Sequence, residues 1–528
     1  MSFRMTVSVL GRNTQKLNVT TGWRFGCHKS WVSRSAATGF YSQDVHSNIP
    51  PVHNNNTDRN SQPNWQQKRR KKSSMVGTEE DVDIITATGS ESKTSVRPFN
   101  EIPIPGGHEK GLMGILAPLY HAWRGKAFTK PHEYLLSCTK EYGPIFRQKT
   151  MVIGWTATVM ISDADDIEKV FRAVGKYPIR PSVKAWNDHR QDRNLSVGLF
   201  TSERETWQKL RSAVSPGILR PSALVSHVGS MHEVALDLIN KLRSIRKPDG
   251  VIPDIETELF KWAMESSATY VFDKRLGLIT EKVLKKENQE FVEAIEVLAW
   301  TAGKLFVLPP EVLNNLPKSL NPVIKSNKSW DELFAITKTY IDAKMSSLAK
   351  KAAKGEDFDD GTFVAYLMTK NKLTKEEIYG TVSEIFPASV DTTANTSAFL
   401  IHEVSKHPEI QDKLYDEVMH INPEGATPTS EMLDSMKYLK ATVKETQRLY
   451  PIVLASARIL DKDIEIRGYN VPKGTCITTN FYNASRDPEI LTTQMNSSLS
   501  VGFRRRKYTI PLLLYRLGTE PECVLVAD

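Results

Sequence analysis

Glu445 and Arg448 stand three residues apart in the stretch Lys444-Glu445-Thr446-Gln447-Arg448-Leu449-Tyr450-Pro451. On a helix they share a face, so carboxylate and guanidinium can pair in the fork geometry that arginine favours. Alone the pair is unremarkable, because most such pairs are solvated contacts worth little. Upstream, Ala388-Ser389-Val390-Asp391-Thr392-Thr393 brings an acid and two alcohols into an otherwise apolar run, just after Pro387. Proline removes a backbone donor and Thr competes for backbone acceptors, so helix bonding is broken there. Such a break marks either a functional site or a kink tolerated for packing. A third group is Trp207-Gln208-Lys209-Leu210-Arg211, which sets an indole N–H and a guanidinium on one helical face, both able to point at a buried anion. As an isolated pentapeptide it reads as a half-buried Trp beside a surface Arg.

The elements that position these groups are mostly helical. Residues 373–407 open with the capping-box pattern Thr374-Lys375-Glu376-Glu377 and continue far longer than an average globular helix, which predicts a central buried helix. Amphipathic windows at 223–243, 254–272 and 288–306 predict three more helices. Order begins near Pro98. Tyr142-Gly143-Pro144-Ile145-Phe146-Arg147 leads into an alternating strand pattern through 152–161, and Ser162-Asp163 then caps a helix carrying Ile167, Val170 and Phe171. Strands return at 463–466 and 475–480, the second after the turn Val471-Pro472-Lys473-Gly474. No internal repeat is visible. The fold class is therefore mainly α with a smaller β part.

The chain has 528 residues, 40% hydrophobic and 25% charged, enough for one large or two medium domains. Its net charge of +9 is spread out, and the densest run, Lys68-Arg69-Arg70-Lys71-Lys72, lies in a polar stretch with no core pattern. We read that run as solvated linker; a nucleic-acid patch is the alternative. Cys27, Cys138, Cys476 and Cys523 show no CxxC and no regular spacing, so neither a disulfide framework nor a thiolate zinc site is indicated. No window approaches the roughly 18 apolar residues of a membrane span. Residues 1–40 carry Arg4, Arg12, Lys16, Arg24, Lys29 and Arg34, many Ser and Thr and no acid, the composition of a mitochondrial transit peptide. Residues 41–97 are rich in Asn, Ser and Gln and read as disordered linker.

Taken together, the motifs over 98–490 resemble a cytochrome P-450, a haem-thiolate monooxygenase. The resemblance rests on Gly143-Pro144-Ile145-Phe146, Trp207 with Arg211, Asp391-Thr392, Lys406-His407-Pro408-Glu409-Ile410-Gln411-Asp412-Lys413-Leu414, Glu445 with Arg448, and Tyr482-Asn483-Ala484-Ser485-Arg486-Asp487-Pro488. It implies haem b as cofactor, and the transit-like N-terminus with Lys440-Ala441-Thr442-Val443-Lys444 points to the mitochondrial class. That class implies an acidic, adrenodoxin-like ferredoxin and its reductase as partners, docking on Lys440 and Lys444. It further implies a small apolar substrate, sterol-like or xenobiotic, and a peripheral place at the matrix side of the inner mitochondrial membrane, with no nucleic acid involved. By the same resemblance Trp207, Arg211 and Arg458 look like donors to the haem propionates, buried carboxylates that need charge-assisted partners. Asp391 and Thr392 look like the proton relay to dioxygen. Glu445 and Arg448 look structural, and Ser389 stands where the family usually has glycine, which implies tighter access there.

The family also needs a cysteine thiolate in a loop resembling F-G-x-G-x-R-x-C-x-G, and that loop is not preserved. Cys523 stands about where the ligand belongs, but Glu520-Pro521-Glu522-Cys523-Val524-Leu525 supplies neither the glycines nor the arginine. Back-translation indicates the reason. Read one base upstream, permissible codons for residues 494–503 give N-E-F-K-P-E-R-W-L, the segment the family places after D-P-E. The same shift over 514–528 permits L-P-F-G-[HY]-G-A-R-M-C-V-G-R-R, a complete haem loop. Two motifs in the right order from one constant shift make residues 491–528 a frameshifted tail, from a sequencing error, a mis-set exon boundary or a frameshift allele. Two functions follow: a mitochondrial monooxygenase for the locus, or a catalytically dead product for the polypeptide without its thiolate.

Overall fold

The computed structural model describes residues 5–9, 17–21 and 96–487, apart from 108–112, 128, 149–157, 182, 220–224, 282, 308–312, 314 and 356–360. In chain order the helices are α1 (Met113–Arg124), α2 (Pro131–Tyr142), α3 (Ala164–Val174), α4 (Lys184–Asp192), α5 (Arg204–Leu219), α6 (Val228–Ile245), α7 (Ile255–Phe272) and α8 (Lys286–Val307). They continue with α9 (Pro322–Ala353), α10 (Phe363–Lys370), α11 (Lys375–Lys406), α12 (Pro408–Ile421), α13 (Ser430–Ser435), α14 (Lys437–Leu449) and α15 (Phe481–Ala484). The strands are β1 (Met5–Val9), β2 (Leu17–Thr21), β3 (Ile145–Gln148), β4 (Thr158–Ile161), β5 (Val251–Ile252), β6 (Ala455–Ile459), β7 (Ile464–Ile466), β8 (Tyr469–Val471) and β9 (Cys476–Asn480). The fold is mainly α with a smaller β part, as the hydrophobic periodicity implied.

Helix α11 is the central element. Thr374 Oγ1 accepts from Glu377 N (3.2 Å) while Glu377 Oε2 accepts from Thr374 N (2.9 Å), so the capping box is closed. Its first half is buried, and Phe386 stacks on Phe291 of α8 with ring centroids 4.9 Å apart. Phe272 of α7 meets the same ring at 5.3 Å, which joins three helices in one apolar core. The 32-residue α9, capped by Asn321 with Pro322 at its first position, packs beside α8 and α11. Its frequent Lys, Ser and Thr dilute the apolar pattern, and sequence periodicity passed over it.

The other predicted elements are present within a few residues of their expected bounds. α7 starts one residue past Asp254, α8 spans the third window, and α6 begins at Val228 after a short 3-10 turn at Val225–His227. Asp163 caps α3 by accepting from Asp165 N and Asp166 N. Of the strand predicted through 152–161, Thr158–Ile161 is strand and 151–157 lie outside the described residues.

The main sheet has the order β3-β4-β9-β6, with β4 and β9 parallel and the other pairs antiparallel. Its central pair therefore joins residues from opposite ends of the helical body. β7 and β8 form a hairpin whose two turn residues, Arg467 (φ 51°) and Gly468 (φ 75°), take the left-handed conformation such a turn requires. β1 pairs antiparallel with β2 and with β5. β1 and β2 fall within residues 1–40; the rest of that stretch, most of 41–97 and the tail 491–528, Cys27 and Cys523 included, lie outside the described residues.

Candidate functional site

The second half of α11 carries the acid–alcohol pair. Pro387 cannot donate to the carbonyl one turn back, so the helix loses a rung there. Just beyond it Thr392 Oγ1 donates to Ala388 O (2.9 Å) and Thr396 Oγ1 to Thr392 O (2.8 Å). Hydroxyls bound back to carbonyls four residues earlier bend a helix. Asp391 is held by Asn395, whose Nδ2 donates to its backbone O (2.8 Å) and to Oδ1 (3.1 Å). Both Asp391 and Thr392 are half-buried. Ser389 Oγ lies 2.9 Å from Ser267 Oγ on α7 and 2.7 Å from Phe386 O, so this hydroxyl is engaged with its own helix and the neighbouring one.

Trp207 and Arg211 lie one turn apart on α5, each about 2% exposed, so here the bland reading of an exposed arginine fails. Arg211 has further contacts, but its Nε and Nη2, both buried, have no hydrogen-bond acceptor among the described residues. Arg458, 3% exposed on β6, donates to Ser456 Oγ (2.8 Å) and Ala457 O (2.9 Å), both neutral acceptors. A bridge between Ile179 and Ile459 brings the start of the α4 region against β6. The next residue, Arg180, lies over the Trp207 ring at 5.4 Å. The segment at Ile179 and Arg180 thus touches both β6 and Trp207 of α5, while the Arg458 guanidinium itself lies over the Phe171 ring at 4.8 Å.

Glu445 and Arg448 pair as the spacing implied: Arg448 Nε donates to Glu445 Oε2 (2.8 Å) and Nη2 to Oε1 (2.6 Å). The third nitrogen, Nη1, donates to Ser485 O (2.9 Å), which ties α14 to α15. At the end of α14, Tyr450 donates to Glu403 Oε1 of α11 (2.6 Å) and stacks on Phe399 at 4.5 Å. The brace and the kinked helix are therefore joined directly. Lys440 and Lys444 are exposed on α14, and Lys440 Nζ contacts Asp434 Oδ1 at 2.6 Å.

Sequence reasoning missed a buried charged network above the kink. Glu384 and Arg190 are each about 1% exposed by side chain and form an ion pair, Arg190 Nη2 to Glu384 Oε1 at 3.2 Å. Phe200 N (2.7 Å) and Thr201 N (3.3 Å) donate to Oε2, and Thr201 Oγ1 donates to Oε1 (2.6 Å). The Arg190 guanidinium lies 3.8 Å from the Trp330 ring centroid. Burial pushes it below its ordinary pKa against the opposing pull of Glu384. His189 Nδ1 accepts from Arg190 Nη1 (3.4 Å) and its Nε2 donates to Asp331 Oδ1 (2.9 Å), which extends the network to α9. A carboxylate inside an otherwise apolar helix was the one available signal, and Glu384 supplied it.

A mainly helical body, a mixed four-stranded sheet and a long helix that carries Pro387 and an acid–alcohol pair at its middle define the class. The chain belongs to the cytochrome P450 family, whose profile matches residues 113–492. It is similar to the rat mitochondrial 1,25-dihydroxyvitamin D(3) 24-hydroxylase, 32% identical over 72% of this chain and 71% of the relative. Similar too are the mouse mitochondrial sterol 26-hydroxylase, 31% identical over 75% and 74%, and the human mitochondrial 25-hydroxyvitamin D-1 alpha hydroxylase, 30% identical over 68% and 70%.

Haem is the group this family implies, and the residues fit one side of it. The buried guanidiniums of Arg211, one turn from Trp207 on α5, and of Arg458 on β6 suit the carboxylates of a porphyrin, which need charge-assisted donors away from water. The iron ligand does not fit either described cysteine. Cys138 and Cys476 are both buried, one inside α2 and the other at the start of β9, and neither stands in a loop of the F-G-x-G-x-R-x-C-x-G pattern. Among the described residues no cluster of His, Cys, Asp and Glu could hold a metal ion, and no helix is long and apolar enough to cross a membrane.

Proposed function

We propose that the intact product of this locus is a mitochondrial haem-dependent monooxygenase that inserts one atom of dioxygen into a C–H bond of an apolar, sterol-like or xenobiotic substrate. The observation that carries this reading is the acid–alcohol pair Asp391-Thr392 beyond Pro387, with Thr392 Oγ1 bound to Ala388 O. The mitochondrial hydroxylases among the relatives support it. When bound, haem b with a thiolate ligand supplies the activation of dioxygen. Trp207, Arg211 and Arg458 hold its carboxylates. Thr392 spends its own hydrogen on Ala388 O, which leaves its oxygen lone pairs to accept from a water in the kink. Asp391, oriented by Asn395, passes protons to that water. Glu445 and Arg448 brace the layer beneath.

Electrons come from an acidic, adrenodoxin-like ferredoxin and its reductase, docked on Lys440 and Lys444. The Lys440–Asp434 contact is solvent-exposed, so an acidic partner can replace it at little cost. Residues 1–40 direct the chain to the matrix, where it sits peripherally on the inner membrane.

A second reading applies to the 528-residue polypeptide itself, a catalytically dead product whose residues 491–528 are read in a shifted frame. Two observations favour it: neither described cysteine stands in a ligand loop of the family pattern, and the family match stops at residue 492. The test is the reduced carbon-monoxide difference spectrum of this chain beside one whose frame is restored between Asp487 and Gln494. The restored chain is expected to give the long-wavelength Soret band of thiolate haem, and this chain none. That band in the 528-residue chain rejects the second reading. An unbroken transcript frame giving this tail, with no indel or splice alternative, rejects the frameshift.

A further inference from the structure

The turn at residues 198–202 leads directly into α5, and it is held from two sides. On one side Glu384 accepts from Phe200 N, Thr201 N and Thr201 Oγ1. On the other, Arg180 Nη2 donates to Leu199 O (2.8 Å) and Ser202 O (2.9 Å) while its guanidinium lies over the Trp207 ring. The turn presses against α11: a Cβ on Gly198 would meet Glu384 Oε2 at 2.4 Å and Gly380 O at 2.5 Å. We propose that Glu384 is a positioning residue which, through Phe200–Ser202, sets the start of α5 and so aims Trp207 and Arg211 at the carboxylates of a bound porphyrin. The inference rests on the role of Trp207 and Arg211 given above.

The chemistry of the position requires a carboxylate. Two backbone N–H groups, one hydroxyl and one guanidinium converge on it, and only an ionised acid offers acceptor sites to all four. Gln supplies one oxygen and turns an NH2 group toward donors, so at least one partner must move. Arg190 also needs the charge, because its guanidinium is buried and Glu384 is its described counter-ion.

The probes are metal-free protoporphyrin IX and its dimethyl ester, whose binding to the full chain is read from porphyrin fluorescence and needs no iron ligand. The wild-type chain is expected to prefer the free diacid by about tenfold, as charge-assisted hydrogen bonds to two carboxylates imply. Glu384→Gln is expected to abolish most of that preference while ester binding stays near the wild-type value. A merely structural role would weaken both probes alike and overturns the proposal, as does a wild-type chain that binds neither probe or prefers neither. Arg211→Met separates the two ideas: if it leaves the preference intact, the reading of Arg211 fails; if it removes the preference and Glu384→Gln does not, positioning alone fails. Should Glu384→Gln not fold, Thr201→Val removes the hydroxyl bond to Glu384 together with the one Thr201 Oγ1 accepts from Gly198 N (3.1 Å). It is expected to lose part of the preference, and an unchanged ratio overturns the inference.

Discussion

His189 has no exposed surface, and both its ring nitrogens are satisfied only while the ring is neutral, with Nε2–H on Asp331 and Nδ1 facing an Arg190 donor. Burial comes first among the causes that hold its pKa below the ordinary 6.5, with Arg190 and Arg193 adding to it and the Asp331 hydrogen bond opposing. As pH falls below that value the unfolded chain takes up a proton that the folded chain refuses, so this residue's share of stability is present above 6.5 and lost below it. Asp331 does not blur the window, because Arg193 and His189 outweigh its burial and hold its carboxyl below 3.8. His189→Gln is therefore expected to flatten the pH dependence of the urea midpoint below 6.5, by up to about 1.4 kcal/mol per pH unit. Parallel curves for variant and wild type would refute that assignment. Glu384 alone gave a faint signal, but its pairing could not be read, because Arg190 is 194 residues away and by itself reads as a polar position on a helix. Glu445 and Arg448 were legible because their partners are neighbours on one turn.

At the level of elements, the caps and the long helix could be read because their signals are local. Thr374 and Glu377 satisfy each other's backbone donors at the start of the 32-residue α11. Thr374→Ala is expected to lower unfolding stability by about 1 kcal/mol, measured by denaturant melts of wild type and variant. The loss stays modest because Glu377 keeps its Lys209 partner at 2.6 Å. A drop several times larger would mean that the cap governs more than the first turn. By contrast α9 could not be read, since its buried face of Trp330, Leu333, Phe334, Tyr340 and Ile341 is interleaved with lysines and hydroxyls that blur the apolar stripe. Pro387 followed by alcohols was visible in the sequence, but not which carbonyls the hydroxyls take, Ala388 O for Thr392 and Phe386 O for Ser389.

Across the whole molecule, the sheet decides how much of the chain must be present. β9 pairs with β4 on one side and β6 on the other, so among the described residues it alone links β6 to the β3–β4 pair. A chain ended after Asp487 retains β9 and α15, and its circular dichroism and urea midpoint are expected to match those of the full chain closely. A chain ended after Lys473 lacks β9, and β4 and β6 then each lose a row of backbone partners. That shorter chain is expected to melt without a cooperative transition. Equal cooperativity in both truncations would show that the helical body folds independently of its sheet.

The parallel pairing of β4 with β9 also has a meaning in time. During synthesis β4 appears early and waits, with one edge open, until almost all of the helices have been made. Non-local pairing of this kind is slow to form and exposes a strand edge meanwhile. The charged Lys473, held by Asp463 through its backbone N–H, closes the turn just before β9 and so directs the last strand into that waiting gap. β4 therefore keeps that edge open until Cys476–Asn480, about 315 residues further along the chain, arrives to fill it.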